Sequence, residues 1–433
     1  DPSFYDAQTL DIAPAGLTQD PEVGFQYLET RDGTTLSVNV LPPLDPNLSP
    51  PYPVVVDYSG YDPSDPDVFS GDPDHRPMFV ARAAGFAVVG VNLRGTTCSG
   101  GAYSYWETLQ GLDGYDVIET VAAQTWADRV GMIGLSFPGI SQLFVAATQP
   151  PHLAAITPQS VIGDTYRSTL YPGGILNGGF AVDWAAERDN DARPAAHAWV
   201  RDRIAAGDTE CAANQELHGQ AVSILDRLEP EAFYEAAGDS LAPRTFVDRI
   251  QVPTYLGVAW QDEQTGGEAA NLLDDFTSLG GPGEPPVRAQ LMNGAHAEQY
   301  TPESYLRILE FLDFYVARKV PGLVGPLRQF ANLGFAQLIG APGIDLPPDR
   351  TWPSDFEEAL AAYEAEPPIR VSLDQGAAGS GGAACPDGDR SPVPCPAGYP
   401  YSAFSVGFDT WPPPQTQPWR LYLQPDGGLG DMA

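Results

Sequence analysis

The fold is decided by the stretch Val130-Gly131-Met132-Ile133-Gly134-Leu135-Ser136-Phe137-Pro138-Gly139 and the residues that follow it to Pro151. Residues 130–135 are a near-continuous apolar run, as expected of a strand buried on both faces. Ile140, Leu143, Phe144 and Ala147 then recur at helical spacing, and Gln149-Pro150-Pro151 stops that helix. A strand that feeds a helix so directly leaves room only for a tight turn, and Ser136 stands in that turn. Gly134 permits close approach of the two backbones. The helix N-terminus supplies free N–H groups and the positive end of a dipole beside the serine hydroxyl. These are the requirements of a nucleophile pushed out above a sheet. The glycine that commonly stands two residues after such a serine is displaced: Pro138 occupies that place and Gly139 follows. Proline is tolerated in a first helical turn. The plain alternative is an ordinary turn carrying a chance serine.

Outward from this stretch the chain alternates strands and helices. GFQYLET and TTLSVNV, joined by Arg31-Asp32-Gly33, read as a hairpin over 24–41. Runs 53–59 and 86–93 read as buried strands, with a short helix between them ending at Gly85. A helix is predicted over 115–127 and a further strand over 153–158. Between 161 and 248 the pattern is helical, with no strand-like run. The rhythm returns with a strand over 252–260, a helix near 268–279 and a strand over 287–292. The helix that follows opens at Thr301-Pro302-Glu303, an N-cap with proline at the first helical position. Such alternation predicts an α/β fold, a mostly parallel sheet with helices on both faces. After about 367 the chain becomes rich in Gly, Pro and Ser, and IRVSL, FSVGF and WRLYLQ read as the first strands of a β domain.

A serine needs a base, and the order serine, acid, histidine fits this kind of fold. The chain has five histidines. His75 precedes the serine, His152 follows it before another strand could supply an acid, and His197 and His218 fall in the helical stretch. His296 remains, in the loop after strand 287–292. The strand before that runs into Gln261-Asp262-Glu263. Asp262 is the favoured acid and Glu263 the fallback; the acid would orient the imidazole. One oxyanion donor is expected from the N–H of Phe137. The other is expected from the loop after strand 53–59, where Gly60 N–H, Tyr61 N–H and Tyr61 OH are all open. The Asp-Pro-rich loop 62–74 has a spacing that suits calcium, but it lacks a known calcium-loop pattern and reads first as turn chemistry.

Composition bounds the rest. Across 433 residues Asp plus Glu is 57 and Lys plus Arg is 22, a net charge of −35. Lys319 is the single lysine. A basic face for nucleic acid or anionic lipid is therefore excluded. No apolar run is long enough to span a membrane as a helix. The surplus acid suits solubility, outside the cell or in high salt. The chain begins at Asp1 without Met, which fits a mature secreted chain. Cys385 and Cys395 flank a short loop and predict a local disulfide; Cys98 and Cys211 are the other two cysteines. With no CxxC present, neither a zinc nor a redox site is expected.

These features together resemble the α/β-hydrolase family that groups cocaine esterase, cephalosporin acylases and Xaa-Pro dipeptidyl-peptidases. The matching stretches are Arg31-Asp32-Gly33-Thr34-Thr35-Leu36, Tyr61-Asp62, Leu93-Arg94-Gly95, Ser99-Gly100-Gly101 and Trp126-Ala127-Asp128, then Gly134 to Gly139, Trp260-Gln261-Asp262 and Gly294-Ala295-His296. Phe408-Asp409-Thr410-Trp411-Pro412 and Trp419-Arg420-Leu421-Tyr422-Leu423 complete the set. The family pattern has tyrosine where Phe137 stands. The resemblance implies Ser136, Asp262 and His296 as a catalytic triad, with the Tyr61 hydroxyl as oxyanion donor beside the Phe137 N–H. It implies a catalytic domain over 1–160 and 249–366, a helical cap inserted at 161–248, and the opening of a C-terminal jelly-roll-like domain, incomplete, at 367–433. A serine hydrolase of carboxylic esters or amides is expected, acting on a small molecule or short peptide with no metal or organic cofactor. Release of Xaa-Pro dipeptides is the alternative and would need a carboxylate for the substrate's amine, for which Asp164, Asp183 and Glu187 are candidates. In the branch that hydrolyses amino-acid esters, further carboxylates follow the acid; here Gln264 and Thr265 follow Glu263, against amine recognition. A catalytically silent binding homologue is the reading from another class.

Overall fold

The computed structural model describes residues 19–67, 76–220, 236–280, 284–323, 346–373 and 404–424, with a few short pieces besides. Asp72, Asp74, His75 and the expected Cys385–Cys395 bridge fall outside the described residues.

The N-terminal hairpin forms as predicted. β1 (Gly24–Glu29) pairs antiparallel with β2 (Thr35–Leu41), and Gly33 takes the positive φ of 85° that the turn requires. β3 (Tyr52–Ser59), β4 (Ala87–Asn92), β5 (Ala127–Leu135), β6 (Leu153–Gln159), β7 (Thr254–Ala259), β8 (Val287–Met292) and β9 (Ile369–Leu373) follow. Counting β10 (Phe404–Phe408), one sheet of ten strands runs β1-β2-β4-β3-β5-β6-β7-β8-β9-β10. From β4 to β9 neighbouring strands are parallel. The hairpin closes one edge antiparallel to β4, and β10 closes the other antiparallel to β9.

Two apolar layers sandwich this sheet, because alternate residues of each strand point to opposite faces. Val54 and Val56 of β3 join the layer under α2 (Thr108–Ala122) and α3 (Phe137–Ala147). Val55 joins the opposite layer with α1 (Arg76–Ala83) and the helix Pro302–Leu312.

Three boundaries differ from expectation. α2 starts seven residues earlier than the predicted 115. Gly111 and Gly114 in this added stretch are contact points with α3: a Cβ on Gly114 would lie 2.2 Å from Val145 Cγ2. Near 268–279 only short helical turns form, Gly267–Asn271 and Leu272–Asp275. β9 and β10, expected to open a separate β domain, instead extend the central sheet. A strand added at the edge of a central sheet and a sandwich strand share the same alternating pattern, so the sequence did not separate them. Of WRLYLQ, only Tyr422–Leu423 is a strand, paired with Leu429–Gly430. Among the described residues no jelly roll is formed.

Between β6 and β7 the described residues hold no strand. α4 (Phe180–Asp191), α5 (Ala198–Ala205) and α6 (Thr209–Asn214) lie there. A disulfide between Cys98, in the loop after β4, and Cys211 of α6 ties this helical insertion to the sheet. Nothing in the spacing of these two cysteines predicts their pairing.

Candidate active site

Ser136 lies between the end of β5 and the start of α3, at φ 67° and ψ −128°. A non-glycine residue is held there only by its surroundings. Its N–H donates to Gln159 O at 3.0 Å, and its carbonyl accepts from Ile140 N–H at 2.8 Å. The turn closes because glycines flank it. A Cβ on Gly134 would stand 2.7 Å from the Pro138 carbonyl carbon, and one on Gly139 would stand 2.5 Å from Gln159 O. Gly139, three residues on, thus does the close packing against β6 that Pro138 would obstruct. Gly139→Ala is expected to cost about 1–3 kcal/mol of stability through this overpacking. A denaturant midpoint measures it, and an unchanged midpoint would mean that β6 yields freely.

His296 follows β8 and is buried. Its Nδ1 meets both Asp262 carboxylate oxygens, at 2.8 and 2.9 Å. Asp262 follows β7 and also accepts from the N–H groups of Gln264 (2.9 Å) and Thr265 (2.8 Å) and from Thr265 Oγ1 (2.7 Å). Burial alone would raise the Asp262 carboxyl, but the hydrogen bond and charge of His296, with those of Thr265, hold it below the ordinary carboxylate range. Glu263 is turned elsewhere, its Oε2 accepting the backbone N–H of His296 at 3.0 Å. Of the two candidate acids, Asp262 therefore faces the imidazole and Glu263 holds the main chain behind it. The second ring nitrogen, Nε2, is buried and has no hydrogen-bond partner among the described residues.

Tyr61 stands in the loop after β3, its hydroxyl 3.5 Å from Ser136 Oγ. Its ring packs edge-on against Phe137 with centroids 5.6 Å apart. Phe137 is fully buried among Tyr61, Trp106 and Trp184. As the first residue of α3, its N–H has no carbonyl one turn back to bond. The hydroxyl of Tyr61 also accepts from Trp184 Nε1 at 3.2 Å, a contact the sequence reading missed. Nothing in linear spacing announces it, since Trp184 lies on α4 in the insertion. The next residue, Asp62, accepts from Trp199 Nε1 and meets His197 Nδ1, both at 3.0 Å. Asp65 accepts the Asp67 N–H at 2.8 Å, so two acids of the Asp-rich loop serve packing and turn formation.

Ser136 opens on a cleft of about 460 Å³ walled by Trp106, Ile140, Ile162, Leu170, Phe180 and Trp184. Thr265, which binds Asp262, lines the same cleft. Trp106 and Trp184 stack there at 6.2 Å. No charged side chain lines it among the described residues. The acids considered for amine recognition lie outside this wall: Asp164 is paired with Arg167 at 2.6 Å and caps the turn Thr165–Leu170, and Glu187 is largely exposed.

A mostly parallel sheet with a serine on a strained strand-to-helix turn defines an α/β hydrolase. Comparison with known proteins narrows the class. The X-Pro dipeptidyl-peptidase (S15) family profile matches residues 32–298, and the chain belongs to this family. Cocaine esterase from Rhodococcus sp. (strain MB1 Bresler) is 27% identical over 253 residues, covering 54% of this chain and 43% of that protein. Among solved structures, a CocE/NonD family hydrolase from Staphylococcus aureus aligns with a TM-score of 0.61 at 17% identity, covering 97% of this chain and 66% of its own. An aminopeptidase from a marine sediment Thaumarchaeota archaeon aligns at 0.56 and 17% identity, covering 98% and 66%. The chain thus spans less than half of the curated relative and about two thirds of these structural neighbours. The structural likeness establishes the fold, and the profile match establishes the family.

Proposed function

We propose that the protein is a serine-type acyl hydrolase that cleaves carboxylic esters or amides with an uncharged, apolar acyl group. The observation that carries this reading is that Ser136 opens on an apolar cleft, with no charged lining among the described residues, whose wall includes Thr265, the residue that bonds Asp262 as Asp262 holds His296. His296 Nε2 takes the proton as Ser136 Oγ attacks the carbonyl carbon. The tetrahedral oxyanion is received by the Tyr61 O–H and the Phe137 N–H. Collapse breaks the bond to the leaving group, which takes the proton from Nε2. Water then attacks the acyl-enzyme with His296 again as base, releasing the acid and Ser136. Asp262 stays ionised, fixes the tautomer and stabilises the imidazolium.

In this reading residues 1–160 and 249–366 form the catalytic domain and 161–248 the cap over the cleft. The Cys98–Cys211 disulfide favours an oxidising, extracellular setting. A fluorophosphonate probe tests the nucleophile: the protein is labelled, and Ser136→Ala is not. Labelling that survives the substitution removes Ser136 from the role, and no labelling of the native chain favours a silent binding homologue. A panel of p-nitrophenyl esters beside an Ala-Pro anilide tests the substrate. Faster turnover of apolar acyl esters is expected, and cleavage of the anilide alone reverses the reading toward Xaa-Pro dipeptide release.

A further inference from the structure

We propose that Trp184, on the helical insertion, is a positioning residue that fixes and strengthens the Tyr61 hydroxyl as an oxyanion donor; this rests on the role given to Tyr61 above. A phenol oxygen carries one proton and accepts through its lone pairs, whereas an indole N–H only donates. Trp184 Nε1 lies 3.2 Å from the Tyr61 hydroxyl, so the tyrosine accepts there and its own proton must turn away from the indole. Ser136 Oγ, 3.5 Å from that hydroxyl, lies where the proton is needed. Accepting one hydrogen bond also polarises the O–H, which makes it a stronger donor to a developing negative charge.

The surroundings support the same role. Arg188 stands one turn further along α4, with its guanidinium carbon 5.0 Å from the Tyr61 ring centroid and 5.7 Å from that of Trp184. Asp191 holds this guanidinium at 2.8 Å. The residue after Tyr61 is gripped from the same insertion, since Asp62 bonds His197 and Trp199. The insertion therefore does more than cover the cleft. It contacts the two-residue Tyr61-Asp62 segment at the hydroxyl, the ring face and the neighbouring carboxylate. A donor aimed in advance loses no energy to reorientation when the oxyanion forms.

Trp184 also walls the cleft, so its replacement alone would mix packing with hydrogen bonding. A double-substitution cycle separates them. With a p-nitrophenyl ester, Tyr61→Phe is expected to lower kcat about hundredfold. Trp184→Phe is expected to lower kcat about tenfold with KM within about twofold, and to have no further effect once Tyr61 is phenylalanine. Benzothienylalanine at 184, which keeps the bicyclic ring and loses only the N–H, should reproduce the kcat loss and guards against misfolding of the phenylalanine variant. A native kcat in either variant, or the same loss with and without the Tyr61 hydroxyl, overturns the positioning role while leaving Tyr61 as donor. A native kcat in Tyr61→Phe instead removes the donor itself.

Discussion

Asp262→Asn is expected to lower kcat for an ester about 10⁴-fold while Glu263→Gln changes it less than about tenfold. Both residues are acids that follow β7 and both touch His296, so the contrast isolates what the contact does. Asp262 accepts from Nδ1, and an asparagine there can present its NH₂ to that nitrogen, which selects the wrong tautomer and leaves Nε2 protonated before attack. Glu263 accepts a backbone N–H, a task the glutamine carbonyl still performs. Ser136→Ala should fall further, about 10⁶-fold, and combining it with Asp262→Asn should add little, because the residues act as a unit. Steady-state kinetics with active-site titration measures all of these; equal losses at 262 and 263 would undo the assignment of the acid. The pH dependence carries a sign as well. A carboxyl whose folded pKa lies below its unfolded value of about 3.9 adds stability that is present above that value and drains only as pH falls through the lower folded one. Asp262→Asn should remove that increment at neutral pH and flatten this part of the acid limb of a stability curve.

What the sequence made legible follows from how local each signal is. The turn at Ser136 is written in ten consecutive residues, and β5, the turn and α3 stand there with their boundaries shifted by a few residues. His296 was reachable because the chain has few histidines and their order along the strands eliminates the rest. Asp262 and Glu263 could be ranked but not separated, since neighbouring side chains diverge only once the loop is folded. The same holds for β9 and β10, whose alternation does not say which sheet they join. Trp184 was invisible for a different reason. Its partner lies 123 residues away, and both residues sit in segments with no regular period relating them.

The disulfide between Cys98 and Cys211 spans 113 residues, a separation at which linear spacing gives no pairing signal. Its removal should act on the insertion first. The apolar contact at that point is small: Cys98, Val200 and Cys211 form their core cluster apart from the two large layers, edged by Phe25, Tyr27 and Trp199. Polar bonds supply the rest, with Asn214 donating to the Cys98 carbonyl at 2.9 Å, Gln215 to that of Thr97 at 2.8 Å and His218 to that of Ser99 at 2.6 Å. Closing a loop of this length contributes about 2–5 kcal/mol, comparable to all of those bonds together. In a Cys98→Ser/Cys211→Ser variant, hydrogen exchange over 180–220 should therefore quicken by about 10² or more while β3 to β8 keep their protection. Activity should fall with it, because Trp184, His197 and Trp199 hold the Tyr61-Asp62 segment from the freed side. If the exchange quickens but kcat for the ester holds, the insertion is a cover only and its grip on Tyr61 has no catalytic consequence. If exchange is unchanged, the polar bonds suffice and the disulfide is redundant for fixing α6.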